Sequence, residues 1–299
     1  MRRKFYTLDV FTDVALAGSP LAVVLDSEGL DASRMQAIAR EFNLAETVFV
    51  LEPRNPVNTA RMRIFTPGRE LAFAGHPTIG AAVLLAHLRA PDLLAREDLR
   101  IVVEQGVGDI VCVARHRKGQ AMAAYFTLPR LPQAVGETPS DETLAAGLGL
   151  ARANIGFGAH RPTHYSAGTS FLFVPIASLA AMARARPGLG LWGENGGPAV
   201  YLYTNEVVDK GSTWHARMFA SGWGILEDPA TGSAAAAFAG VVMQFERPGE
   251  GGHMFVIEQG LEIGRPSFIS LGVDVEHGAL GAATVGGSAV IVAQGAIDV

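Results

Sequence analysis

The chain has 299 residues, of which 49% are hydrophobic and 18% charged, with a formal net charge of −5. That length can bury a large core and suits two domains, and the composition excludes a disordered chain. The acidic balance and the lack of a basic stripe give no reason to expect nucleic acid as a partner.

Cys112 is the single cysteine. An intrachain disulfide is therefore impossible, and a cysteine-based metal site is disfavoured. Within residues 110–114 it reads as a small core residue of a strand. The opening MRRKFYTLDVFTD lacks the apolar stretch of a signal peptide, and no apolar segment approaches the roughly 18 residues of a membrane span. A soluble, cytoplasmic protein with no membrane partner is the expectation.

Taken in chain order, residues 4–11 alternate as a strand does, and residues 21–25 form a second apolar strand. Residues 31–40 have helical spacing, with Met35, Ile38 and Ala39 on one face and Asp31 as the cap. Strands follow at 46–51 and 61–66, then a small-residue helix that starts near His76. Further strands fall at 99–104 and 109–114. Later in the chain come strands at 199–204 and 213–219 and an alanine-rich helix at Ser233. Residues 193–197, Gly-Glu-Asn-Gly-Gly, read as a turn. His160 and His164 are spaced as a helical metal pair would be, but the Arg-Pro-Thr between them opposes a helix.

The chain is written twice. Arg63-Ile-Phe65 matches Arg217-Met-Phe219, and Glu104-Gln-Gly106 matches Glu258-Gln-Gly260, both at an offset of about 154. Between these anchors, His76-Pro-Thr-Ile-Gly80 aligns with Asp228-Pro-Ala-Thr-Gly232. Each match is short, but their common order and spacing favour a duplication. Two domains are expected, at residues 1–125 and 130–280, with the chain end at 281–299 crossing back to the first. Strands around a single apolar helix suggest a curled sheet wrapped on that helix.

The stretch Glu227-Asp-Pro-Ala-Thr-Gly-Ser233 admits a plain reading, in which Asp228 or Thr231 caps a core helix. His76 could cap its helix in the same way. The repeat supports another: two helix starts whose free N–H groups hold an anion such as a carboxylate, with small residues allowing close approach.

Three segments then resemble the phenazine-biosynthesis isomerase family (PhzF-like) of the diaminopimelate epimerase-like superfamily. They are Asn43-Leu-Ala-Glu46-Thr-Val-Phe49, Arg63-Ile-Phe-Thr-Pro67 through Ala74-Gly-His-Pro-Thr-Ile-Gly80, and the Glu227–Ser233 stretch. Asp9-Val-Phe-Thr12 and Gly18-Ser-Pro-Leu-Ala-Val23 fit as well. The resemblance implies an α+β fold of two pseudo-symmetric domains, each a barrel-like, mostly antiparallel sheet around a central helix, with the active site between them. It implies catalysis without a cofactor or metal, and a homodimer. The family's acid/base glutamate falls on Glu46, its histidine on His76, its aspartate on Asp228 and its serine on Ser233. Gly75 and Gly232 would supply close backbone approach to substrate. Ala45 departs from the family, which often has serine there. The related epimerases use two cysteines, and neither helix start here carries one, so two-thiol chemistry is disfavoured.

From periodicity alone Glu46 would be an edge-strand glutamate facing water; the resemblance makes it catalytic. A carboxyl in an apolar cleft has its charged form disfavoured, which suits proton shuttling near neutrality. The expected function is a cofactor-independent isomerase that moves a proton on a small carboxylic acid, for which a conjugated ring would suit best. The alternative is a non-catalytic carboxylate-binding or protein-interaction member of the same fold.

Overall fold

The structure is a computed structural model that describes residues 2–188, 199–221 and 225–299; the expected turn at 193–197 lies outside them. Contacts divide the chain into two compact units, Met1–Thr127 with Gly286–Val299, and Leu128–Val285.

The first unit contains β1 (Arg2–Val10), β2 (Ser19–Val24), α1 (Ala32–Phe42), β3 (Glu46–Leu51), β4 (Ala60–Phe65) and β5 (Glu70–Leu71). These are followed by α2 (Gly75–Arg89), α3 (Pro91–Leu94), β6 (Leu99–Gln105), β7 (Gly108–Arg115) and β8 (Ala123–Thr127). The second unit contains β9 (Gln133–Ala134), α4 (Asp141–Leu148), β10 (Thr163–Ser166), β11 (Ser170–Pro175), α5 (Leu179–Arg184), β12 (Ala199–Thr204) and β13 (Trp214–Ala220). It continues with β14 (Ile225–Asp228), α6 (Gly232–Phe245), β15 (Gly251–Gln259) and β16 (Ser267–Glu276), and the long β17 (Ala279–Asp298) ends in the first unit.

In the first unit the strands run β1-β2-β3-β4-β6-β7-β8-β17, and β17 pairs back onto β1. The sheet is thereby a closed ring of eight strands with no free edge, the state in which every backbone polar group is paired. Most pairs are antiparallel, whereas β2–β3 and β4–β6 are parallel. The ring is filled by α2, which is buried on all sides from Gly75 to Ala86. Its small residues are required: a Cβ on Gly80 would lie 2.6 Å from Leu21 Cδ2 and 2.8 Å from Val10 Cγ2.

Outside the ring, α1 presents Met35, Ile38 and Ala39 to Val24, Phe49 and Phe65. Asp31 caps it by accepting from Arg34 N, and Asn43, at φ 50°, ends it in the left-handed region. A single amphipathic face and two good caps make this the helix most directly written in local sequence.

The second unit repeats the order. Antiparallel β10–β11 leads to parallel β11–β12, antiparallel β12–β13 and β13–β14, parallel β13–β15 and antiparallel β15–β16. Its core helix is α6, buried from Ala234 to Val242. Gly240 lets the Tyr165 ring close on it, since a Cβ there would meet that ring at 2.5 Å. Helices α4 and α5 cover the outer face through Leu144, Leu148 and Met182 against Leu172, Val174 and Leu202. The fold is α+β: two mostly antiparallel sheets of matching strand order, each around a buried helix.

His160 and His164 do not form a pair. His160 is buried between Tyr203 Oη (3.1 Å) and Glu246 Oε1 (2.8 Å), while His164 on β10 meets Ser170 Oγ at 2.7 Å. Cys112 is a core residue, and burial pushes its thiol up to about 12. Among the described residues no helix is long and apolar enough to cross a membrane.

Candidate active site

Glu46 is the first residue of β3, opposite Leu21 of β2. His76 is the second residue of α2, after Gly75. Strand entry and helix start bring the two side chains together, His76 Nε2 lying 3.1 Å from Glu46 Oε2. His76 is 6% exposed, and burial lowers its pKa to about 3. The imidazole is therefore neutral at working pH, and the contact is not a pair of full charges. At 3.1 Å the angles are not those of a hydrogen bond at His76 Nε2.

No side chain caps α2, whose N-cap is Ala74. The Thr78 hydroxyl donates to Ala74 O (2.7 Å) and receives Gln105 Nε2 (2.8 Å). These bonds fix the first turn of the helix.

The second unit has a related arrangement. Asp228 ends β14, and Gly232 and Ser233 begin α6, with Ser233 half-buried. The Thr231 hydroxyl donates to Asp228 Oδ2 at 2.6 Å, and Gln259 Nε2 donates to Asp228 O (2.8 Å) and Thr231 Oγ1 (3.0 Å). Thr231 thus holds Asp228 rather than capping α6, which has no side-chain cap. The plain capping reading fails at both helices. Burial raises the Asp228 pKa to about 6, against the opposing hydrogen bonds from Thr231 and the Ala230 backbone. This carboxyl can change protonation state close to neutrality.

One threonine–glutamine pair at each helix start, and a tyrosine, complete these arrangements. Thr78 and Gln105 brace one helix start as Thr231 and Gln259 brace the other, and the Glu-Gln-Gly repeat was the signal that could have marked both glutamines. The tyrosine, Tyr201 on β12, is fully buried, its ring packed edge-on to Phe173. Its hydroxyl has no hydrogen-bond partner among the described residues, and after burial itself the Asp228 charge adds to the upward push on its pKa.

Two helix-centred, barrel-like sheets of one strand order constitute the diaminopimelate epimerase-like fold. The sequence profile of the phenazine biosynthesis-like proteins (PhzC-PhzF) matches residues 8–295, and the chain belongs to that family. It is 46% identical to an uncharacterized isomerase of Mesorhizobium japonicum, over 98% of each chain. It is 34% identical to the trans-2,3-dihydro-3-hydroxyanthranilate isomerase of Pseudomonas chlororaphis, again over 98% of both. A PhzF-family phenazine biosynthesis protein from Bacillus anthracis superposes with a TM-score of 0.88, at 26% identity and with 100% of each chain covered. The protein is an isomerase of this family.

Proposed function

We propose that the protein is a cofactor-independent isomerase that shifts a proton between carbons of a small cyclic, conjugated carboxylic acid. The observation that carries this reading is the contact between Glu46 and a histidine held neutral by burial. An acid/base carboxyl must gain and lose a proton within one turnover, and a charged imidazole beside it would hold it ionised. A neutral one leaves both states accessible.

Glu46 carboxylate removes a carbon-bound proton, becoming a carboxylic acid, while the substrate's double bonds delocalise the electron pair left behind. The same proton returns to another carbon of the same molecule, so no external donor is consumed. Free N–H groups at the start of α2 (Gly75, His76), beside Glu46, hold the carboxylate, and the start of α6 (Gly232, Ser233) offers a second set of the same kind. His76 orients Glu46, and Asp228 binds or relays to a polar substituent. The working form is a homodimer in the cytoplasm.

The relatives at 34% identity make trans-2,3-dihydro-3-hydroxyanthranilate the first substrate to test. Incubation with it in deuterated water, followed by mass spectrometry and NMR, should give a rearranged product with deuterium at one carbon. An unchanged, unlabelled acid would remove this substrate. Absence of exchange across a panel of cyclic unsaturated acids would favour a carboxylate-binding protein without catalysis.

A further inference from the structure

The two units share one strand framework but finish it differently at one place. In the second, His215 of β13 lies opposite Glu258 of β15. Its Nδ1 meets Glu258 Oε1 and its Nε2 meets Glu262 Oε1, each at 2.8 Å. Glu262 comes from a helical turn, Leu261–Ile263, immediately beyond β15. Two residues along, Arg217 is bidentate to Glu227 and also donates to the Met182 and Ala185 carbonyls. The place is sealed, and His215 is 1% exposed.

In the first unit Arg61 of β4 lies opposite Glu104 of β6, the matching register. Arg63 is bidentate to Glu70 at 2.6 and 2.7 Å, as Arg217 is to Glu227. Here, however, β6 turns straight into β7 after Gln105, so no residue occupies the position of Glu262. The turn is pinned close, because a Cβ on Gly106 would lie 2.9 Å from Ala72 Cα. Glu104 is already used by the Arg54 and Asn55 N–H groups and the Asn58 amide. Arg61 Nε is buried with no hydrogen-bond partner among the described residues, and Glu28 stands 3.7 Å from its Nη2. What results is a cavity of about 580 Å³ lined by Arg54, Arg61, Arg63, Glu70 and Glu104.

We propose that this cavity binds a small polycarboxylate. One carboxylate takes the place beside Arg61 that the Glu262 side chain takes beside His215, and a second reaches Arg54 at the rim. Guanidinium groups bind carboxylates through paired, charge-assisted hydrogen bonds, and a buried donor left unpaired is costly. Arg61 lines the cavity, its one ion pair among the described residues being the 3.7 Å contact to Glu28, and the other unit shows an acid at the matching position.

Citrate is the probe, titrated calorimetrically into the full-length protein at low ionic strength, with Arg61→Gln and the exposed Arg54→Gln as variants. Saturable binding is expected, weakened about tenfold or more by Arg61→Gln, the scale of a lost charged hydrogen bond, and less by Arg54→Gln. Both arginine variants should retain the parent's isotope exchange, which separates this site from the proposed reaction. No saturable binding, or binding untouched by both arginine variants, would overturn the proposal. So would a sedimentation mass that drops from two copies to one in either arginine variant, since an acidic side chain of a second copy would then fill the cavity.

Discussion

Ala199 occupies the strand position in the second unit that Glu46 occupies in the first. Glu46 opens β3 opposite Leu21, and Ala199 opens β12 opposite Phe171. The next residues, Thr47 and Val200, face Phe65 and Phe219 in turn. The duplication therefore carries one glutamate at this position. Under the proposed mechanism that single carboxyl both removes and returns the proton.

The pH profile should follow Asp228 rather than His76. With His76 lowered to about 3 and Asp228 raised to about 6, kcat/KM should rise or fall through a limb near pH 6. Asp228→Asn should remove that limb, with a smaller loss of turnover than Glu46→Gln and a larger effect on KM. His76→Asn should leave the limb in place.

Asp228 should also set a pH dependence of stability. Its folded pKa of about 6 lies above the ordinary 3.8, so its contribution is fully present below 3.8 and is lost as pH rises through 6. Urea unfolding of the parent should show a loss of about 1 kcal/mol between pH 5 and 8 that Asp228→Asn lacks. Equal slopes in both proteins would contradict the burial argument.

His215 gives a test of the same sign in a higher pH window. Burial disfavours its charge, but Glu258 and Glu262 outweigh that and raise its pKa to about 9. Its contribution is complete below pH 6.5 and is lost as pH rises through 9. His215→Gln should destabilise the protein by about 3 kcal/mol at pH 7, because it leaves the buried Glu258 carboxylate without its cation. Thermal unfolding at pH 7 and pH 9.5 should show the difference shrinking at the higher pH.

Tyr201→Phe removes a buried hydroxyl that has no partner among the described residues. Denaturant unfolding should find the variant unchanged or up to about 1 kcal/mol more stable, whereas a satisfied hydroxyl would give a loss of that size.

The framework was legible where short-range signals decided it. The apolar runs of β3 and β12 begin and end where the sequence places them, and α1 differs only because the left-handed Asn43 lets it continue to Phe42. The long β17 was hidden by its glycines, which look like breaks. In the structure Gly286 makes room for the Tyr125 ring, which a Cβ would meet at 2.1 Å. At the candidate site, the matched motifs implied equal settings for His76 and Asp228, which the structure does not give them. His76 lies inside the first turn of α2, whereas Asp228 ends a strand before α6 begins. The threonine–glutamine braces join residues far apart in sequence, a link that local patterns do not carry.

Glu46→Gln keeps the size and reach of the side chain but cannot take up a proton at neutral pH. The most direct test measures deuterium incorporation and turnover of trans-2,3-dihydro-3-hydroxyanthranilate by this variant beside the parent, with binding followed separately. The account predicts a folded protein that binds the acid within a few-fold of the parent and turns it over about 10²-fold or more slowly. Full turnover and full isotope incorporation by Glu46→Gln would contradict it.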